Sequence, residues 1–229
     1  MPNQPLPIRP GANTTVPFGL PTLLGPAVVP VHQGVPNLVE AVDLWVAPIG
    51  GSPAQATLSF TGTAATIVVD LPVGNEAPAR VLDGVPLRGV TVSGAETSGQ
   101  GAAVAYGNVV RNSPRRPLQP TRTGVPSGAP VNLSGVGTLV TLHALEPNYT
   151  DELHIWAHNP TGVPITDLSL GVAGTGPLPP PFVDQVAVAK YSTIKVLNGV
   201  TVRGDSTAAT QILAQGDAGL VVFGFFVRY

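Results

Sequence analysis

The chain has 229 residues, 43% of them apolar and only 10% charged, with a formal net charge of −2. That apolar content supports a packed core and excludes a disordered chain, which needs low hydrophobicity and high charge. No basic block is longer than Arg115-Arg116 and there is no cysteine, which argues against nucleic-acid binding and excludes a disulfide framework, thiolate chemistry and a Cys-based zinc site. Charged side chains normally keep a surface soluble. Their scarcity leaves two readings, an exterior partly covered by other subunits or a neutral Gly/Thr/Ser-rich β surface.

The N-terminus lacks a basic segment followed by an apolar one, so no secretory signal is expected. Prolines at 2, 5, 7, 10, 17 and 21 exclude a helix, because each removes a donor and clashes with the preceding turn. Residues 1–22 therefore read as an extended, polyproline-like arm. Leu6, Ile8, Val16, Phe18 and Leu20 lie among the prolines, and a solvated tail needs none of them, so the arm is expected to dock on a neighbouring subunit.

Residues 23–111 then carry short Val/Thr/Ile-rich segments such as Thr66 to Asp70. Residues 112–130 hold a second proline-rich stretch, read as a stiff linker. Its Arg115, Arg116 and Arg122 either anchor it on an acidic neighbour or stay solvated. Residues 131–229 return to strand patterns at Thr138 to His143, Gln185 to Ala189 and Leu220 to Arg228. The apolar run Ala218 to Val227 is about half a membrane span and reads as one buried strand. No segment keeps a 3.6-residue apolar period, and turn signals recur roughly every 8–12 residues. The expected fold is all-β, two tandem β-sandwich (jelly-roll-like) domains behind the arm.

The two halves repeat. A shift of 111 residues places His32 on His143, Pro36-Asn37 on Pro147-Asn148, and Val42, Leu44 and Trp45 on Leu153, Ile155 and Trp156. At 115, Val81-Leu82-Asp83-Gly84 falls on Val196-Leu197-Asn198-Gly199, with Arg88 on Arg203. At 117, Val104 to Arg111 falls on Val221 to Arg228. The order is kept and the rare residues coincide, which points to internal duplication. Asp83-Gly84 and Asn198-Gly199 between apolar runs predict hairpin turns. Gly107 and Gly224 predict a bulge or a close backbone approach in mid-strand. Trp45 and Trp156 are expected in the two cores, with sugar stacking as the rival role. Arg88 and Arg203 face a partner or blunt a sheet edge.

No catalytic, cofactor-binding or metal site is expected, and the chain is not expected to be an enzyme. His154 and His158 would share one strand face, with His143 on a neighbouring strand. The first half has Asp43 and Ala47 where they stand, so a three-histidine metal site is not a property of the repeat. His32 and His143 read as structural. The carboxylates lie mostly beside Gly, Pro or Asn, where turns form. Gly171 to Gly176 lacks the lysine and helix of a phosphate loop.

The segment Asp151-Glu152-Leu153-His154-Ile155-Trp156-Ala157-His158-Asn159-Pro160-Thr161-Gly162, with the terminal Val222-Phe223-Gly224-Phe225-Phe226-Val227-Arg228-Tyr229, resembles the small β-sandwich modules of tailed-bacteriophage virion proteins. The resemblance implies a structural virion component without catalytic residues. A capsid decoration (cement) protein is favoured, bound to the major capsid protein or other virion proteins and homo-oligomeric in the particle, with no nucleic-acid or membrane partner. It would be made in the host cytoplasm and reside on the virion. A tail, collar or fibre-base protein and a carbohydrate-binding adhesin module are the alternatives.

Overall fold

The computed structural model describes residues 14–50, 52–72, 77–99, 102–121, 127–173, 183–204 and 210–229. In the first half the strands are β1 (Thr14–Pro17), β2 (Thr22–Leu24), β3 (Val29–His32), β4 (Val39–Ile49), β5 (Ala54–Phe60), β6 (Thr66–Leu71), β7 (Ala79–Arg88), β8 (Val92–Glu96) and β9 (Ala102–Arg111). The second half contributes β10 (Arg116–Pro117), β11 (Val131–Asn132), β12 (Gly135–Ala144), β13 (Thr150–His158), β14 (Leu168–Ala173), β15 (Thr193–Arg203), β16 (Gln211–Gly216) and β17 (Val221–Arg228). The protein is all-β, built of small antiparallel sheets, and none of the described residues is helical.

Strand order is the same in both halves. In the first, β9, β4 and β7 form one sheet and β3, β8, β5 and β6 the other. In the second, β17, β13 and β15 form one sheet and β12, β16 and β14 the other. Alternation along the strands turns one apolar row of each sheet inward, as a half-buried strand requires. Leu44, Val46 and Leu82 thus meet Leu58, Phe60 and Ile67 in the first core. Leu153, Ile155 and Phe226 meet Leu142, Leu168 and Leu170 in the second.

Three expectations change. The segment Gln185 to Ala189 is not a strand. Only isolated bridges, Leu170 with Val183 and Ile165 with Val188, stand where β6 pairs with β5, and Gln185 has a positive φ that breaks the extended run. Second, Asp83-Gly84 and Asn198-Gly199 are not hairpins. β7 and β15 run straight through them, and the register slips opposite Asp43 and between Leu153 and His154. Gly84 and Gly199 do take positive φ, at 60° and 72°. One left-handed residue bulges a strand, whereas a type I′ turn needs two in succession.

Third, the described end of the arm and the described parts of the linker are paired with strands of this chain, at the same place in the two halves. β1 and β2 pair with β9, as β10 and β11 pair with β17. The registers set Pro17 opposite Asn108 and Pro117 opposite Phe225, which are equivalent positions in the two halves. Likewise Leu24 and Leu133 both fill the core. Val16 and Phe18 pack on the chain's own core, and Leu20 is left exposed. Leu6 and Ile8 lie outside the described residues. The linker is not a solvated spacer. The Arg115 guanidinium lies 4.6 Å from the Phe225 ring and donates to the Asp83 carbonyl at 3.3 Å. Arg122 lies outside the described residues.

Gly107 and Gly224 mark close backbone approaches. A Cβ at Gly107 would strike the Asp43 carbonyl oxygen and the Phe18 ring, and one at Gly224 the His154 carbonyl oxygen and the Ile155 Cα. Backbone cannot swing aside as a side-chain tip can. Gly107→Ala and Gly224→Ala are each expected to destabilise the protein by roughly 1–3 kcal/mol, the usual range for overpacking, read as a lowered urea midpoint.

Candidate functional site, a sheet face present twice

The outward rows of β4 and β9 build the first copy of the face. Register pairs Trp45 with Tyr106, Ala47 with Val104 and Ile49 with Ala102, and Leu23 of β2 pairs with Val104 at the edge. The result is a continuous apolar stripe, in which Leu23 and Ile49 are exposed and Trp45 half-buried. Trp45 is therefore not in the sandwich core. The inward positions beside it belong to Leu44 and Val46, and strand alternation puts Trp45 on the other side. The Tyr106 ring lies 6.2 Å away and nearly parallel, and Arg80 stands 5.2 Å over the indole from the opposite neighbouring strand. Arg80 in turn pairs with Asp43 at 2.5 Å and Asp83 at 2.8 Å. The bulge at Gly84 aims its N–H at the same Asp43 oxygen, at 2.9 Å.

The second copy consists of His154, Trp156 and His158 on β13 with Val221, Phe223 and Phe225 on β17. Phe223 lies 6.0 Å from Trp156, and Lys195 takes the position of Arg80, 4.7 Å over the indole. Here the face is buried. Trp156, Val221, Phe223 and Phe225 join the core of the first half, alongside Val81 and Val85 of β7. Trp156 is thus buried as expected, but against the first half of the chain rather than among the core residues of its own half.

Polar groups seal this seam. His158 is fully buried, and its Nε2 accepts a hydrogen bond at 2.9 Å from the N–H of Val68 in the other half of the chain. Burial pushes the His158 pKa down from 6.5 to about 4, only partly offset by a hydrogen bond to the Ser192 backbone. Arg88 N–H donates to the Ser127 carbonyl and Thr63 Oγ1 to that of Pro130.

A second polar assembly recurs inside each sandwich. His143 Nδ1 accepts from the Gln119 N–H at 3.2 Å, which makes Nε2 the protonated nitrogen, and Nε2 donates to Asp151 at 2.9 Å. Asp151 also accepts from Arg228 at 2.7 and 2.8 Å. Burial alone would raise the Asp151 pKa, but the hydrogen bonds from Arg228 and His143 hold it below the usual carboxylate range. In the first half Glu40 receives Arg111 at 3.0 Å and lies 3.2 Å from His32, whose ring stacks on Phe18. Burial holds the His32 pKa below its ordinary value, against the pull of Glu40.

The shift of 111 that sets His32 on His143 also sets Glu40 on Asp151, but the two carboxylates differ in type and so are not among the matching residues. Glu40 and Asp151 do carry a signal, each standing eight residues after its histidine in a strand. His143, His154 and His158 are not brought together. His154 bonds Glu152 at 2.9 Å and stacks on Phe225, and each of the other two has its own partners. Among the described residues no three His, Asp or Glu side chains are placed to hold a metal.

No protein-family model and no curated protein matches this chain. Among solved structures it is similar to the N-terminal CBM22-1-CBM22-2 tandem domain of Paenibacillus barcinonensis Xyn10C, with 12% identity, 95% of this chain and 91% of that one covered, and a TM-score of 0.30. It is also similar to the viral major capsid protein STIV MCP, with 12% identity, 96% and 97% covered, and a TM-score of 0.29. Likenesses this distant carry no function across.

Proposed function

We propose that this chain is a non-catalytic structural subunit of a tailed-phage virion, acting as a capsid decoration protein that stabilises the shell through protein contacts. The observation that carries this reading is the apolar stripe of exposed Leu23 and Ile49 with half-buried Trp45, Ala47, Val104 and Tyr106, whose counterpart in the same chain is already an interface. A contiguous apolar patch of this kind marks a contact surface. The polar residues support the same reading. The buried ionisable groups His32, Glu40, His143, Asp151 and His158 are engaged in holding strands and domains together. The matching strand orders, in which only β6 lacks a strand counterpart, support duplication of one unit, made of a strap followed by a sandwich. Its partners would be the major capsid protein and other copies of itself, at the capsid surface.

Adding purified protein to shells that lack it and imaging them by cryo-electron microscopy tests this reading. Density spread over the icosahedral shell is the expected result. Density confined to the tail axis would transfer the protein to a tail, collar or fibre base, and no binding to any particle would overturn the virion reading.

Half-exposed Trp45 beside Asp43 and Asp83 is the observation that favours a glycan-binding module. Against it, Tyr106 and Arg80 stand on either side of the indole, the faces on which a sugar would stack. Protection of both tryptophans from acrylamide quenching would dispose of this reading.

A further inference from the structure

We infer that a second copy of this chain docks the β15 side of its second sandwich on the Trp45 face, repeating between copies the contact that joins the two domains within one copy. The inference rests on reading the chain as an assembly subunit, and not on where in a particle it sits.

The internal seam has two sides, and each has an equivalent elsewhere in the chain. One side is the outer face of β13 and β17, with Trp156 and Phe223. Its equivalent is the face of Trp45 and Tyr106. The other side is β7 with β6 beside it. Its equivalent is β15 with Val183 and its neighbours, because Val183 pairs with Leu170 as Ile67 pairs with Leu58. Inside the chain both sides are covered. Val81, Leu82, Val85, Pro86 and Leu87 of β7 are all buried. The β15 counterparts are open. Leu197 alone is buried on that strand, Ile194, Val196 and Val202 are half-buried, and Val200 is 37% exposed. One chain thus presents an unfilled copy of each half of an interface it already makes.

The two open faces differ from each other, so the contact is heterologous. Such a contact propagates into a ring if its rotation closes and into a filament if it does not. The Trp45 face carries Asp43, Arg80 and Asn108 where the buried copy has His154, Lys195 and Phe225. It is more polar than the permanent seam, which suits a contact that forms between separately folded copies.

Sedimentation of the full chain over a concentration series tests this. The expected result is reversible growth beyond a dimer. Trp45→Glu, or the less intrusive Ala47→Glu, should weaken association roughly thirtyfold or more, as loss of a central aromatic anchor does. Val200→Glu on the opposite face should do the same. A mixture of Trp45→Glu and Val200→Glu retains one intact face on each partner, and should form one-to-one dimers that grow no further. The absence of cysteine allows a direct check. In the internal seam His158 meets Val68, and their equivalents are Ala47 and Asp184. A short bis-maleimide should join Ala47→Cys protein to Asp184→Cys protein, and neither variant to itself. A wild-type chain that stays monomeric throughout, or an Ala47→Cys variant that links to itself, overturns the proposal. Failure to bind shells with association intact would count against the virion reading alone.

Discussion

Replacing Asp151 by alanine is expected to destabilise the second sandwich by roughly 3–5 kcal/mol, the usual consequence of removing one partner of a buried charge pair. Asp151 is fully buried and the Arg228 side chain is only 7% exposed, so the substitution strands a guanidinium away from water and leaves the His143 Nε2–H without an acceptor. Glu146, 2.5 Å from Arg228, keeps the cation partly neutralised, which places the expected loss nearer the lower figure. The matching change in the first half, Glu40→Ala, should have a smaller effect, because Arg111 is 39% exposed and can turn to solvent. Urea unfolding followed by circular dichroism measures both. Equal losses for the two variants would contradict this expectation, which rests on Arg228 being far more buried than Arg111.

Acid should open the seam between the two halves before carboxylate protonation unfolds the sheets. The folded protein favours neutral His158, whose Nε2 must accept the Val68 N–H, while the unfolded chain titrates near 6.5. Stability from this group is therefore complete above about pH 6.5 and is lost as the pH falls toward about 4. Below that both states are protonated and its contribution stops changing. The difference amounts to about 3 kcal/mol. His32, also shifted down by burial, adds a loss of the same sign. Denaturation midpoints collected across that window should show a slope that His158→Gln reduces but does not abolish. An unchanged slope in His158→Gln would mean that His158 is not held neutral at the seam. Because Trp156 is buried in the same seam, its fluorescence should report the opening directly.

Much of the fold was legible along the chain. The strands read at Thr66 to Asp70, Thr138 to His143 and Leu220 to Arg228 overlap β6, β12 and β17, and follow from Val/Thr/Ile-rich or continuously apolar runs between glycine and proline breaks. The residue matches between the two halves were legible from Trp, His and Arg, which are rare enough in this composition that their coincidence carries weight. The site was less legible. The carboxylate of each buried assembly escaped comparison because it is Glu40 in one half and Asp151 in the other. Either carboxylate can accept the arginine, so packing tolerates a difference that residue matching does not.

Asp83-Gly84 shows where local inference stops. The dipeptide does supply the left-handed residue it promises, but whether the chain then reverses depends on Asp83 as well, and on a partner strand that continues past it. The tryptophans show the same limit at larger scale. By itself the sequence determined the all-β class of the fold and the strand alternation, both set by steric and solvation preferences acting over a few residues. Only the tertiary structure decided that the described ends of the arm and linker pair with β9 and β17, and that Trp156 is buried while Trp45 faces outward. Identical alternation presents both indoles on the same face of their strands. What covers that face comes from another domain, at a distance in sequence that no local preference spans.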